Sequence, residues 1–236
     1  MIWLRSVFYV VYLYAGMGAI GISAMPASML DAKASLVASR VWARYAVFGL
    51  RWICGLHLRF EGLEHVPKGA ALVACKHQSM LETIAIFLAL PEPAIVFKRE
   101  LRNMPVFGWF VQRTGMIMVD REAHAKALKD MVRAARQSFE AGRPIFIFPE
   151  GTRQAPGAVP DYKPGVAAIY RDLEAPCIPV ALNTGLFCHG LLRKPGQAVI
   201  RFLPPIPAGL PRREFMRQLE ERIEAGCADL AQEAGP

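Results

Sequence analysis

The sequence predicts an α/β protein: a mixed, largely parallel sheet covered by helices on both faces, preceded by an N-terminal two-helix membrane-associating segment. Three observations carry this. From Leu58 onward, short apolar runs alternate with amphipathic stretches of helical length, the pattern of strands joined by crossover helices. From Ser6 to Leu30 no residue is charged, a stretch long enough to cross or enter a bilayer. Between Ala32 and Leu58 the basic residues are Lys33, Arg40, Arg44 and Arg51, and at about 100° per residue they fall within about 20° of one line. The division is placed at 57/58, giving a helical segment 1–57 and an α/β domain 58–236.

The first helix is imperfect as a span, because Gly16, Gly18, Gly21 and Pro26 weaken its second half. A cleaved signal peptide is the rival reading. Against it stand a single cation, Arg5, before the apolar run, the length of that run, and no clear small-residue cleavage site. The next helix sets its cations against Leu36, Val37, Val41, Trp42, Phe48 and Trp52. A wide apolar surface with one cationic stripe suits a helix lying in a membrane interface, its Arg heads on anionic phosphates. The alternative is a basic helix packed on the domain with a solvated face. The stripe fits a hairpin dipping into one leaflet better than a full crossing.

The domain reads in order as a strand over Leu58–Glu61, a buried strand over Ala71–Cys75 and a helix over Met80–Leu90 stopped by Pro91. A strand follows over Ala94–Lys98, a short helix over Val106–Arg113 and a strand over Met116–Val119. A long helix over Ala123–Ala141 ends at Gly142, before a strand over Pro144–Phe148. Then come a helix over Gly165–Leu173 and strands over Ile178–Leu182 and Val199–Phe202. Phe215, Leu219, Ile223, Cys227 and Leu230 share one side of a C-terminal amphipathic helix.

In such sheets sites gather at the carboxyl ends of strands, and four segments there carry chemistry. The first is His77-Gln78-Ser79-Met80-Leu81-Glu82. His accepts a proton near neutral pH and a carboxylate can fix its tautomer. Five residues along a helix rotate about 500°, so the two meet only if His77 sits in a turn and Glu82 opens the following helix. Ser79 is the candidate N-cap. The second segment, Phe97-Lys98-Arg99-Glu100-Leu101 through Asp120-Arg121, sets cations beside the apolar run Met104–Phe110, a mixture suited to a ligand charged at one end and greasy at the other. The third, Phe148-Pro149-Glu150-Gly151-Thr152-Arg153, combines a tight turn with a planar fork for phosphate, and Glu150 could accept hydrogen bonds from substrate hydroxyls. The fourth is Cys177-Ile178-Pro179-Val180-Ala181-Leu182-Asn183, where Pro179 marks an edge strand or an irregularity.

These four blocks, in this order over roughly Leu58 to Asn183, resemble the glycerolipid acyltransferase family, most closely its bacterial 1-acyl-sn-glycerol-3-phosphate acyltransferases. The resemblance implies transfer of a fatty acyl group from acyl-CoA or acyl-carrier protein to the sn-2 hydroxyl of lysophosphatidic acid. It implies His77 as the base and Glu82 as its orienter, at a position where the family usually has Asp. Lys98, Arg121 and Arg153 would hold the acceptor's phosphate, with Lys163 a further candidate from Lys163-Pro164-Gly165. Glu150 and Gly151 would position the glycerol portion, Thr152 would be a further substrate-binding residue, and Ile178, Pro179 and Val180 would line the acyl channel. The same scaffold could act on glycerol-3-phosphate or a lyso-aminolipid, or serve as a non-catalytic lipid-binding protein.

A thioester is already activated, so the expected chemistry uses no cofactor and no metal. The net charge of +8 fits anionic lipid and phosphorylated substrates; no zinc-finger spacing or RNA-binding signature supports nucleic acid. The five cysteines, Cys54, Cys75, Cys177, Cys188 and Cys227, are scattered and lack a CxxC pair, as reduced thiols in a cytoplasm-facing domain would be. Cys75 lies two residues before His77, but a buried strand position argues against a nucleophile. The expected location is the inner, cytoplasmic membrane.

Overall fold

The computed structural model describes residues 1–66, 68–120 and 124–235. Two N-terminal helices, α1 (Ile2–Leu30) and α2 (Ala32–Gly49), form a hairpin. A π-helical turn over Leu50–Cys54 leads into the domain: β1 (Leu56–Glu61), β2 (Leu72–Cys75), α3 (Leu81–Ala89), β3 (Ala94–Lys98), α4 (Phe107–Arg113) and β4 (Ile117–Val119). These are followed by α5 (His124–Glu140), β5 (Ile145–Ile147), α6 (Gly165–Leu173), β6 (Cys177–Leu182) and α7 (Thr184–Phe187). A small β7 (Cys188–His189) and β8 (Leu192–Arg193) hairpin precedes β9 (Gly196–Phe202) and α8 (Arg212–Glu233).

Among the described residues seven strands form one sheet in the order β1-β9-β6-β2-β5-β3-β4. The five from β6 to β4 run parallel; β9 joins β6 antiparallel and carries β1 parallel to itself. The sheet is therefore mixed and largely parallel, as its βα alternation requires. The period of two along each strand sorts the core into two layers. Val73, Cys75, Ile95, Phe146, Ile178 and Val180 pack under α1, α2 and α3. Leu72, Ala74, Ala94, Ile145, Cys177 and Ala181 pack under α5, α6 and α8. The five apolar residues read as one side of the C-terminal helix all lie buried in that second layer.

Two sequence expectations need correction. The helix begun at Ala32 passes into the π turn and ends at Cys54, and β1 opens at Leu56, two residues before the expected strand start, so the 57/58 division falls inside that strand. Pro179 does not mark an edge strand, since β6 lies between β2 and β9. The irregularity is what survives. The Leu203 N–H donates to the Pro179 carbonyl at 2.9 Å, and a proline has no N–H to return, so the ladder to β9 ends there.

The glycines of α1 do not break it; the helix is continuous to Leu30. Gly16 is a seat for α2: a Cβ there would fall inside the Tyr45 ring, and one at Gly49 inside the Tyr12 ring. Absent those methyls, Tyr12 and Tyr45 stack at 4.0 Å between centroids, and each hydroxyl donates to the other's backbone carbonyl. Both ends of α1 are also tied to the domain. The Arg193 N–H donates to Ser6 Oγ at 2.8 Å. At the far end Trp109 Nε1 donates to Ser28 Oγ, and Arg113 donates to the Ser28 and Met29 carbonyls.

Candidate active site

The site follows from strand order. β2 lies between β5 and β6 and runs parallel to both, so the turn after β2 is flanked by Pro149-Glu150 after β5 and Asn183-Thr184 after β6. His77 sits in that turn and Glu82 in the first turn of α3, the break their spacing demanded. His77 Nδ1 lies 3.0 Å from Glu82 Oε1. The same oxygen accepts the Gln78 and Ser79 N–H groups at 2.6 Å each. Oε2 accepts the Ser79 hydroxyl at 2.6 Å and the Thr184 hydroxyl at 2.9 Å.

Glu82 is 1% exposed. Burial pushes its pKa up, but the bonds from His77 and Ser79 outweigh it and hold the group below the usual carboxylate range. An ionised Glu82 only accepts, so Nδ1 carries the proton and Nε2 keeps its lone pair. Among the described residues Nε2 has no hydrogen-bond partner, and the ring, 14% exposed, stacks on Phe148 at 3.9 Å. Ser79 is not the N-cap: that position is Met80, without a side-chain cap. Ser79 instead accepts the Leu81 N–H and spends its proton on Glu82. The extra methylene of Glu lets the carboxylate fold back from α3 over the 78 and 79 amides.

The Pro-Glu-Gly-Thr-Arg turn clamps the His77 backbone from both sides. Glu150 Oε2 accepts the His77 N–H at 3.0 Å, and the Gln154 N–H donates to the His77 carbonyl at 2.8 Å. Gly151 turns this segment at φ 68°, a left-handed conformation that favours glycine. Glu150 is thus turned inward, 1% exposed, with its other oxygen 2.8 Å from Lys76 Nζ. It braces His77 from a buried position, and its Oε1, though close to the Lys76 ammonium, is left without a hydrogen-bond partner among the described residues.

Of the anticipated phosphate cations, Lys98 ends β3, and Arg153 and Lys163 follow β5. Lys98 is half exposed and 3.1 Å from Glu100. Lys163 is exposed and paired with Asp161, while its N–H donates to the Pro149 carbonyl. Thr152 and Arg153 are exposed, and among the described residues Arg153 has no carboxylate partner. Arg121 lies outside the described residues. Ile178, Pro179 and Val180 are sealed in the core. A small apolar cavity lies elsewhere, between the hairpin and α4, lined by Met17, Ile20, Trp42, Phe97, Val106 and Phe110 among others. Cys75 is fully buried and burial pushes its thiol well above its ordinary range, which removes it as a nucleophile.

A family model described as Acyltransferase matches residues 57–183, from β1 to the end of β6. The chain belongs to the acyltransferase family. It is similar to the 1-acyl-sn-glycerol-3-phosphate acyltransferase of Pseudomonas aeruginosa, 29% identical over 197 residues that cover 83% of this chain and 77% of that one. The Saccharomyces cerevisiae protein of the same description is 26% identical over 99% of this chain and 78% of its own. The fold matches the crystal structure of the 1-acyl-sn-glycerophosphate (LPA) acyltransferase PlsC from Thermotoga maritima with a TM-score of 0.80 at 21% identity, covering 98% of both chains.

In this acyltransferase, sequence reasoning missed Thr184, Lys76 and Glu224. Thr184 follows β6 directly, so strand order would have placed it beside Glu82. Lys76 reads as a strand-end surface residue, yet it is 1% exposed. Glu224 is one of several acids on α8, and only the packing of that helix selects it.

Proposed function

We propose that this acyltransferase moves a fatty acyl group from acyl-CoA or acyl-carrier protein to the sn-2 hydroxyl of lysophosphatidic acid, giving phosphatidic acid. The observation that carries the reading is the His77–Glu82 pair, with Nδ1 held by a buried carboxylate and Nε2 free at a partly exposed ring. Nε2 takes the proton from the acceptor hydroxyl as its oxygen attacks the thioester carbonyl. Glu82 steadies the imidazolium that forms. The tetrahedral intermediate collapses, the C–S bond breaks, and the proton returns from His77 to the departing thiolate. The curated relatives named for this reaction supply the acceptor. Arg153, exposed and without a carboxylate partner among the described residues, is the first candidate for the acceptor's phosphate, with Lys98 and Arg121 as further candidates.

Membrane attachment in this reading runs through the hairpin. Among the described residues α1 is the helix long and apolar enough to cross a bilayer. Its ties through Ser6 and Ser28 hold it along the domain, which favours a hairpin lying in one leaflet. Trp3, Leu4, Phe8, Val11, Phe48 and Trp52 are exposed apolar side chains suited to enter it. Lys33, Arg44 and Arg51 are exposed and would meet anionic headgroups. The domain would then face the cytoplasm from the inner membrane, where thioester donors are made.

The test is an assay of the purified full chain with labelled acyl-CoA or acyl-carrier protein and a panel of acceptors: lysophosphatidic acid, glycerol-3-phosphate and a lyso-aminolipid. Products are identified by mass spectrometry. Phosphatidic acid as the dominant product supports the reading. A different dominant product reassigns the acceptor, and none at all leaves a lipid-binding protein.

A further inference from the structure

Next to the catalytic histidine lies a buried ionic chain that the reaction itself does not use. Residues 76 and 77 point to opposite faces of the sheet, as neighbours at a strand end do. His77 turns to the face of α3, and Lys76 to the face of α8. There Lys76 Nζ is 2.8 Å from Glu150 Oε1 and donates to Glu224 Oε1 at 2.7 Å. Tyr162 donates its hydroxyl to the same Glu224 oxygen at 2.9 Å. Burial pulls the Lys76 ammonium's pKa down, but its two carboxylates outweigh that and leave it raised. Lys76 is therefore a charged group with no exposed face to offer a substrate.

The chain ends on the base. Glu150 holds one oxygen against the Lys76 ammonium as a buried ion pair, without a hydrogen bond of regular geometry, and accepts the His77 N–H with the other. A carboxylate free to rotate about its terminal torsion would hold that N–H loosely. Lys76 fixes the rotation, and Glu224 fixes Lys76. The arrangement is the counterpart, on the opposite face of the sheet, of the grip that Glu82 has on the ring.

We propose that Glu224 is a positioning residue for His77, acting through Lys76 and Glu150. It touches neither the ring nor any reacting atom; it sets the orientation of the turn from which Nε2 reaches the acceptor. The inference rests on the acyl-transfer reading for its kinetic consequence but not for its structural one. Glu224 also suits a mild test. Its outer flank opens on a cleft lined by Gln78, Pro156, Leu186 and Cys227, so Glu224→Gln keeps the shape and the Tyr162 bond without stranding a buried charge.

The experiment compares wild type and Glu224→Gln in detergent micelles by kinetics, thermal melting and NMR of histidine-labelled protein. The charged groups about the His77 turn are Glu82 on α3, Glu150 after β5, Lys76 and Glu224 on α8. Replacing Glu224 takes the Glu150–Lys76–Glu224 set from net −1 to neutral and disfavours the imidazolium. The expected result is a kcat lower by on the order of three- to tenfold, with both KM values unchanged. The acid limb of the pH–rate profile moves to lower pH, and the ring signals of His77 shift while those of His57, His65 and His189 stay. Unchanged His77 signals overturn the proposal, whether kcat is unaltered or falls only with the folded fraction. If the wild type acylates some other acceptor, the proposed function fails, while the NMR comparison still decides this inference.

Discussion

His77 and Thr184 never touch, yet both are bound to one carboxylate: Glu82 gives Oε1 to the His77 ring at 3.0 Å and Oε2 to the Thr184 hydroxyl at 2.9 Å. The orienting carboxylate is thus fixed from the strand on the far side of β2, and its rotamer is locked before substrate arrives. Preorganisation of this kind makes a single base effective.

His77→Ala removes the base and should lower kcat by about 10² or more, the usual scale for a lost general base. Glu82→Ala should cost less, since Nε2 survives. Glu82→Asp should retain partial activity, because the shorter arm from α3 gives up part of the reach to the 78 and 79 amides. Initial rates with lysophosphatidic acid decide it, and near wild-type turnover in His77→Ala would falsify the mechanism.

Arg153→Ala should raise the apparent KM for the lysolipid by about tenfold, with the donor's KM unmoved, since a charge-assisted bond to phosphate is worth about 1.5–3 kcal/mol. Lys163→Ala should matter less, because Asp161 already holds that ammonium. A donor-only effect in Arg153→Ala would reassign this cation.

Glu82 has a depressed folded-state pKa. A depressed carboxylate contributes stability that is present above the unfolded value, about 4.3. That contribution is lost as pH falls through the folded value. The Tm gap between wild type and Glu82→Gln should therefore be widest near neutrality and narrow below about pH 4. A gap independent of pH would mean that folding leaves the Glu82 pKa unmoved, and a gap that shrinks toward neutrality would mean a carboxyl kept protonated in the folded protein.

Gly49→Val should separate the hairpin, because the added carbons occupy the place of the Tyr12 ring. Overpacking of this kind costs about 1–3 kcal/mol, and it should appear as a lowered Tm together with weaker co-sedimentation on anionic vesicles. Gly18→Ala is the control: a Cβ at Gly18 meets nothing within 4 Å, and this change should lower neither measurement, a helix-interior alanine being if anything the more stable residue.

Much of the fold was legible because its signals are local. β3 and α6 fall where the apolar runs and helical spacing put them, and the 77-to-82 spacing alone required a turn followed by a helix. The errors arose where a tertiary partner decided. Pro179 looked like an edge because its missing N–H is a local fact, whereas the neighbours of β6 are not. Gly16 looked like a weak point because a helix taken singly shows no Tyr ring against it. Glu150 was read for its place after β5, whereas its burial against Lys76 and its hold on the His77 N–H depend on packing that the motif does not show.

The sequence by itself determined the alternation that makes an α/β sheet, the apolar hairpin with its cations, and the residue types of the base and its orienter. These depend on periodicity and spacing, which the chain carries within a few residues. The tertiary structure alone decided which groups hold that base: Thr184, Lys76 and Glu224 lie 102 residues from Glu82, next to His77 on the opposite face, and 148 residues from Lys76. Strand order and helix docking bring them together, and buried charge then requires that each find its partner.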